Sequence, residues 1–539
     1  MNRVKHVWDP LTKTYVPETP STWKRLQEKT INIYTRIREI TAVQWIFFVS
    51  FVLRLWQLGK GAFWYDEGVS IVLARLPWSN MIQATAGDVH PPGYYIILWI
   101  MDHIGIPMTE GVARFPSLVF SMIAIYLTWK LVNHESLNMT KTGKYIVLVW
   151  VAISPLQLHY AQESRMYALL QVEVLSGILF ILNRQKALVS VVILSMLYTH
   201  NYAVFYAPVF ALVVLMTDYV YIFDVKTSMK YFVMKWLPYF VVPFLLWIPW
   251  LIVLFGQMDT VSGGYWIQPV TIPSIVFALY QMLFAYSMPT TFQGLGVLLT
   301  CGVLLYTAWR IYKDQPKNWL VLVVLAFGPL MLAVFLSIVW KPVLLFRGLI
   351  GTTVPLNILI VKAMSGIRFK YKQVYAFSII GITLVAGMVG HYTYNAENKG
   401  TTTTWVHEIV DQLHDGDIVV ALNDNGVIAM KTYAPNTKMY KLKGCGAEPW
   451  GSLSPGTRTA IGIEERSLDQ LIPLSAGKWE PLQIYSRVFF ISTVAPISPE
   501  CEIDMANEII ALDNTRLIHE LVNDEYAQAG IYIVLGDKY

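Results

Sequence analysis

Apolar runs of roughly 20 residues, the length a helix needs to cross a bilayer, recur through most of this chain. They read near 43–58, 114–133, 145–160, 166–182, 187–200, 203–222, 233–255, 291–312, 319–340, 343–362 and 373–393. Hydrophobic residues fill 55% of the 539 positions and charged residues 14%, whereas a soluble domain carries about 25% charged residues. In lipid every backbone N–H and C=O has to be satisfied within the protein, so a chain of such runs crosses as helices. The pattern therefore predicts a polytopic α-helical membrane protein. The net charge of +5 reflects basic loops and points to no nucleic-acid partner.

Lys and Arg gather in 1–42, 130–144, at Arg184 and Lys186, and in 226–235, 310–317 and 362–372. These alternate with poorly basic segments at 59–113, 154–165, 199–202, 256–290 and 340–347. By the positive-inside rule the N-terminus is cytoplasmic and the second set is extracytoplasmic. The run "PPGYYIILWIMDHIGIP" (91–107) is too short for a full span, and counting it as one inverts every later loop. It reads as an interfacial or re-entrant helix within a large first extracytoplasmic loop. Such a loop at membrane depth is expected to line a cavity.

Three regions follow: a cytoplasmic basic amphipathic N-terminal segment (1–42, amphipathic near 21–41), a transmembrane domain (43–393) and an extracytoplasmic α/β domain (394–539). In the last, "TTTTWVHEIVDQLHDGDIVVALNDNGVIAMKTY" reads as helix, Asp-Gly turn, buried strand, loop and helix, and "QAGIYIVLG" as a final strand. Cys301 lies in a span. Cys445 and Cys501 share the last region, either paired or as free thiols, and none has metal-ligand spacing.

Polar residues cluster on the poorly basic side. "GAFWYDEGVS" (61–70) sets Asp66 and Glu67 beside Trp64 and Tyr65. Asp66 either caps a helix or serves as a general base in a partly dry pocket. "GDVHPPGYY" (87–95) supplies Asp88, His90 and Tyr94, with two prolines suited to a helix start and His90 evenly balanced between a structural and a functional role. "SPLQLHYAQESRMYALL" (154–170) supplies His159, Gln162, Glu163, Arg165 and Tyr167. There either a Glu163–Arg165 ion pair holds the hairpin, or Arg165 grips an anion bidentately with Tyr167 as a pocket wall. "KPVLLFRGLIGTTVP" (341–355) brings Arg347, a snorkelling anchor or a second phosphate ligand. "YTHNYAVFY" adds His200 and Asn201, in the pocket or in plain loop.

The segments "FWYDEGVS", "HPPGYY", "ARFPSLVFS", "SPLQLHYAQESRMYALL", "YTHNYAVF" and "FRGLIGTTVP" occur in that order within residues 43–365. Together they resemble the bacterial glycosyltransferases of the dolichyl-phosphate-mannose protein mannosyltransferase superfamily, close to the lipopolysaccharide-core transferases and more distantly to the aminoarabinose transferases. The resemblance implies a GT-C type fold, here with roughly 11 to 13 transmembrane helices at about 20 residues each. It also implies inverting transfer of a sugar from a polyprenyl-phosphate donor to an acceptor hydroxyl on the extracytoplasmic face. Asp66 matches the family's catalytic acidic residue and Glu67 its neighbour. The acceptor is a lipid, a glycan or a protein. The aminoarabinose transferases carry an acidic residue and Lys before the two prolines, where this chain has Val89 and His90. No cofactor is required on this reading, and a divalent metal stays optional with its ligands unassigned.

The chemistry of such a transfer needs a base, cations on the leaving phosphate and an apolar groove for the prenyl chain. Asp66 suits the first; Arg165 and Arg347 suit the second, with His90 or His200 helping. The rival expectation is a non-enzymatic transporter or flippase for a lipid-linked glycan, which would use the same arginines but give Asp66 no part. Transporters of that kind tend to carry inverted repeats, and none is evident.

Overall fold

The computed structural model describes residues 6–9, 14–17, 41–219, 225–261, 267–284, 290–314, 317–367, 370–398, 406–407, 409–443, 453, 455–466, 474–475, 478–479, 488–493, 515–521 and 530–535. All but the last residue of the expected amphipathic stretch at 21–41 lies outside them, as do Cys445 and Cys501. The chain divides into two compact units, residues 1–52 and 53–539. In the first, strands His6–Asp9 and Thr14–Pro17 pair antiparallel.

Among the described residues six helices are long and apolar enough to cross a membrane: Glu110–Val132, Leu237–Gln257, Gln293–Asp314, Trp319–Val339, Phe346–Ser365 and Lys370–Thr393. Shorter apolar helices among the described residues lie at Thr41–Leu55, Tyr167–Leu182, Lys186–Thr199, Ala203–Thr217 and Ile272–Leu283. Helix Glu110–Val132 shows how the sequence sets an end: Glu110 lies in its first turn and Lys130 in its last, each opposing the charge of the local helix dipole. This helix packs on Tyr167–Leu182, which in turn packs on Lys186–Thr199.

The expected spans correspond to helices, with three departures. The run at 145–160 is two helices, Lys141–Ile153 and Pro155–Ala161. Pro155 lacks the N–H that would continue the first, and it stands instead at the start of the second. The run at 343–362 opens as a 3-10 segment, Phe346–Thr352, before Thr353–Ser365 becomes α-helical. A Cβ at Gly348 would stand 2.6 Å from the Tyr202 ring, so the glycine lets the segment approach closely. Finally, the interval 256–290, read as a loop, contains helix Ile272–Leu283. Its start carries a Thr271–Ser274 capping box and a proline in the first turn, local signals that were present in the sequence.

The large loop after the first apolar run holds three short helices: Tyr65–Ala74, Trp78–Gly87 and Gly93–His103. The C-terminal region is an α/β domain. Its six-stranded sheet runs, edge to edge, Glu464–Arg466, Lys438–Leu442, Ile418–Ala421, Val488–Thr493, Gly530–Leu535, Thr515–Leu521. The first four strands are parallel and the last two antiparallel to their neighbours. As the sequence suggests, Gly416 takes the left-handed turn conformation (φ 96°) before a fully buried strand, and helix Asp424–Tyr433 follows. The core of this domain is continuous with the first loop: Val69, Val72, Leu73 and Met81 pack with Val419, Val427, Ile428 and Met430.

Candidate active site

The site is assembled from five chain segments far apart in sequence. Helix Tyr65–Ala74 begins after Trp64, whose backbone is extended and whose carbonyl accepts from Gly68 N–H at 2.9 Å. The N-cap is Trp64, so Asp66 does not cap the helix; it stands in the first turn, where a carboxylate is favoured by the dipole. Its Oδ2 lies 3.5 Å from Arg347 Nη1 and 3.8 Å from Arg165 Nη2. The Asp66 side chain is 22% exposed and that of Arg165 only 3%, so the acid can be reached while the cation beneath it is held.

Arg165 lies on the turn between Pro155–Ala161 and Tyr167–Leu182. Its Nη1 donates to the Asp66 carbonyl, Ser70 Oγ and Tyr95 Oη, each at 3.2 Å. Its Nη2 stands 3.3 Å from His90 Nε2. Because a guanidinium can only donate, that His90 nitrogen accepts and Nδ1 carries the hydrogen. Burial works against the charge on Arg165, but Tyr95, Asp66, Tyr167 and Asp88 outweigh it and hold the group well above its ordinary value. Burial first, then Arg165, His200 and Arg347, pushes His90 well below the ordinary histidine range. His200, whose Nδ1 accepts from Tyr202 N–H at 3.0 Å, is pushed down to about 3 by burial, Arg347 and Arg165. Both imidazoles are therefore neutral donors rather than cations. Their rings meet edge to face at 5.5 Å.

Arg347 is carried by the 3-10 segment, which is pinned on both sides. The Tyr202 hydroxyl donates to the Val343 carbonyl and accepts from Leu345 N–H, and Tyr206 Oη donates to the Gly348 carbonyl at 3.0 Å. The guanidinium lies over the Tyr167 ring at 5.7 Å. It faces Asp66 rather than serving as a snorkelling anchor. Tyr95 Oη donates to Asp88 Oδ2 at 3.0 Å. Burial raises the Asp88 carboxyl above its ordinary value, against the pull of Arg165. Asn201 Nδ2 donates to the Val89 carbonyl at 2.8 Å, tying the His200 loop to the His90 loop.

Several expected pocket residues are engaged elsewhere. Glu67 is fully buried, and Arg114 Nε and Nη2 reach its two carboxylate oxygens at 2.8 Å each. Ser164 N–H adds a third donor at 2.8 Å. Its carboxylate thus clamps the first loop to helix Glu110–Val132 and has no free oxygen for chemistry. Glu163 pairs with His159 at 3.3 Å, not with Arg165. Gln162 donates to the carbonyls of Arg54 and Trp56 at 2.9 and 2.6 Å and meets His391 at 3.2 Å. Tyr94 is buried on Ser117 at 2.8 Å, and Tyr65 packs on the core shared with the C-terminal domain.

Residues the sequence reading passed over include Arg114, Ser70 and Ser164. Arg114 stood in view within "ARFPSLVFS", an arginine inside an apolar run, which by itself signals a buried partner. Three buried polar atoms around Asp66 have no hydrogen-bond partner: Arg165 Nε, His90 Nδ1 and Tyr167 Oη. Buried polar groups are nearly always satisfied, so these atoms keep hydrogen-bonding capacity that a polar ligand could use. Among the described residues no group of three His, Cys, Asp or Glu side chains could hold a metal ion.

No protein-family profile and no curated protein sequence matches the chain. Among solved structures it is similar to ArnT from Cupriavidus metallidurans in the apo state, at 12% identity and TM-score 0.57, covering 94% of this chain and 100% of that one. It is also similar to the same protein bound to undecaprenyl phosphate, at 12% identity and TM-score 0.53, covering 92% and 97%. The chain is a polytopic membrane protein of the GT-C fold.

Proposed function

We propose that this protein is a glycosyltransferase that moves a sugar from a polyprenyl-phosphate donor to an acceptor hydroxyl, on the extracytoplasmic face and with inversion. The observation that carries this reading is the partly exposed Asp66 carboxylate facing two guanidinium groups, with buried polar atoms of Arg165, His90 and Tyr167 left without partners. A monoanionic or dianionic phosphate fits there better than any neutral group. That ArnT has been crystallised with undecaprenyl phosphate supports a lipid phosphate as the anion.

In the reaction the acceptor oxygen attacks the anomeric carbon from the side opposite the phosphate. The carbon–oxygen bond to phosphate breaks, and its electron pair passes to the phosphate oxygen. Asp66 takes the acceptor proton. Arg165 and Arg347 hold the charge that develops on the leaving phosphate, and such preorganised donors commonly supply the largest part of catalysis. Tyr167 O–H adds a neutral donor. The contacts from Asp66 to the arginines, at 3.5 and 3.8 Å, are longer than ordinary charge-assisted hydrogen bonds. An incoming phosphate can therefore draw both guanidiniums to itself and leave the carboxylate free to accept a proton.

The test is transfer from a polyprenyl-phosphate sugar by purified protein in vesicles. Transfer by the wild type and its loss in Asp66→Asn are expected. Movement of the lipid across the vesicle membrane with no sugar transferred to any acceptor would overturn the reading in favour of a flippase.

A further inference from the structure

The C-terminal domain takes no part in the chemistry just described, yet it packs on the helix that carries Asp66. Helix Asp424–Tyr433 lies along helix Tyr65–Ala74. A Cβ at Gly68 would stand 2.7 Å from Ile428 Cγ2 and 3.0 Å from Thr432 Oγ1. Gly68 sits inside a helix, where alanine is the better helix former, so its absent side chain makes room for the other domain. The Tyr433 hydroxyl accepts from Phe63 N–H at 2.8 Å and donates to Glu110 Oε1 at 2.9 Å. One hydroxyl thereby joins the chain entering the Asp66 helix to the start of the helix that carries Arg114. Arg75, which caps the far end of the Asp66 helix, donates to the Thr432 carbonyl. Thr457 Oγ1 donates to the Ala84 carbonyl at 3.1 Å. The two parts share one apolar core rather than touching at a polar rim.

We infer that the C-terminal domain is a brace that sets the position of Asp66 against the arginines, with Gly68 and Tyr433 as positioning residues on either side of the contact. The inference rests on Asp66 being the base. A methyl group on Gly68 would have to move the helices apart by roughly 1 Å to reach ordinary carbon–carbon separation, and displacement on that scale can cost about 10²-fold in rate. A domain that merely recruited an acceptor would need no such fit to this helix.

The experiment uses the full chain in nanodiscs and reads kcat, KM for a polyprenyl-phosphate sugar, and amide hydrogen exchange over residues 63–70. Gly68→Ala should lower kcat about 100-fold with KM within about threefold, and speed exchange. Adding Ile428→Ala removes the clashing Cγ2, so the double variant should return to within about threefold of Ile428→Ala alone, with exchange restored; coupling of this kind is what a double-mutant cycle isolates. Tyr433→Phe should lower kcat about tenfold at unchanged KM and speed exchange; it decides the matter if Ile428→Ala does not fold. Full activity and unchanged exchange in Gly68→Ala, or a double variant no better than Gly68→Ala, would overturn the brace. If the wild type transfers no sugar, the functional reading fails and exchange alone decides the brace.

Discussion

Asp66 and Glu67 are adjacent in the chain, yet the regions their side chains enter are built on opposite terms. Around Glu67 every charge is closed. Arg114 meets both carboxylate oxygens, and its remaining hydrogens go to the carbonyls of Leu58, Lys60, Gly61 and Ala62. Around Asp66 the contacts are longer, partly exposed and incomplete, with Arg165 Nε and His90 Nδ1 left without partners. A helix turns each residue about a quarter-circle from the last, so neighbouring acids point to different surroundings. The saturated pair makes a rigid floor, and the unsaturated set above it is free to act on a ligand.

The comparison breaks first at Asp66. Asp66→Asn should lower turnover about 10³-fold, within the span expected of a general base, at an unchanged thermal midpoint; activity within tenfold of wild type would remove the residue from its role. Glu67→Gln should do the reverse. It leaves Arg114 buried without a counter-charge, and breaking such a pair costs roughly 3–5 kcal/mol of stability, read as a lower midpoint in denaturation. If Glu67→Gln kept its stability and lost only turnover, the assignment of the two acids would have to be exchanged.

Smaller changes sharpen the contrast. Arg347→Lys keeps the charge but loses the planar fork. Binding of a polyprenyl phosphate should weaken about tenfold, or about 1.4 kcal/mol, as measured by titration. Tyr206→Phe removes the hydroxyl that holds the Gly348 carbonyl and should cost about 1 kcal/mol, seen in the thermal midpoint. The least effect concerns acid. The His200 ring is held down to about 3 in the folded chain by burial, Arg347 and Arg165, against about 6.5 when unfolded. Between those values the unfolded chain binds a proton that the folded chain refuses. The stability tied to this ring is thus present above about pH 6.5 and is lost as pH falls toward 3. His200→Asn should therefore narrow the gap between midpoints measured at pH 7 and pH 5.

Much of this arrangement could be read along the chain, and for a local reason. Spans show themselves because lipid forces each helix to be apolar over its whole length. The turn at Gly416 and the strand after it show themselves because turn chemistry and a run of buried apolar residues are neighbours in sequence. Asp66, Arg165 and Arg347 could be nominated one by one because a charge beside an apolar run calls for an explanation. The break at Pro155 and the helix at Ile272–Leu283 were also written locally, in a proline and a capping box.

What only the tertiary structure decided is partnership. That Glu67 is closed off by Arg114, that Glu163 turns to His159 rather than to Arg165, and that Gly68 makes way for Ile428 depend on segments from 4 to 360 residues apart. No local pattern records which buried group faces which; the packed fold selects each pair because a charge or polar group in a dry interior is stable only beside its complement. The sequence alone determined that this is a bundle of membrane helices with polar groups set beside its apolar runs. The close packing of loop, bundle and C-terminal domain decided which of those groups remained available to act.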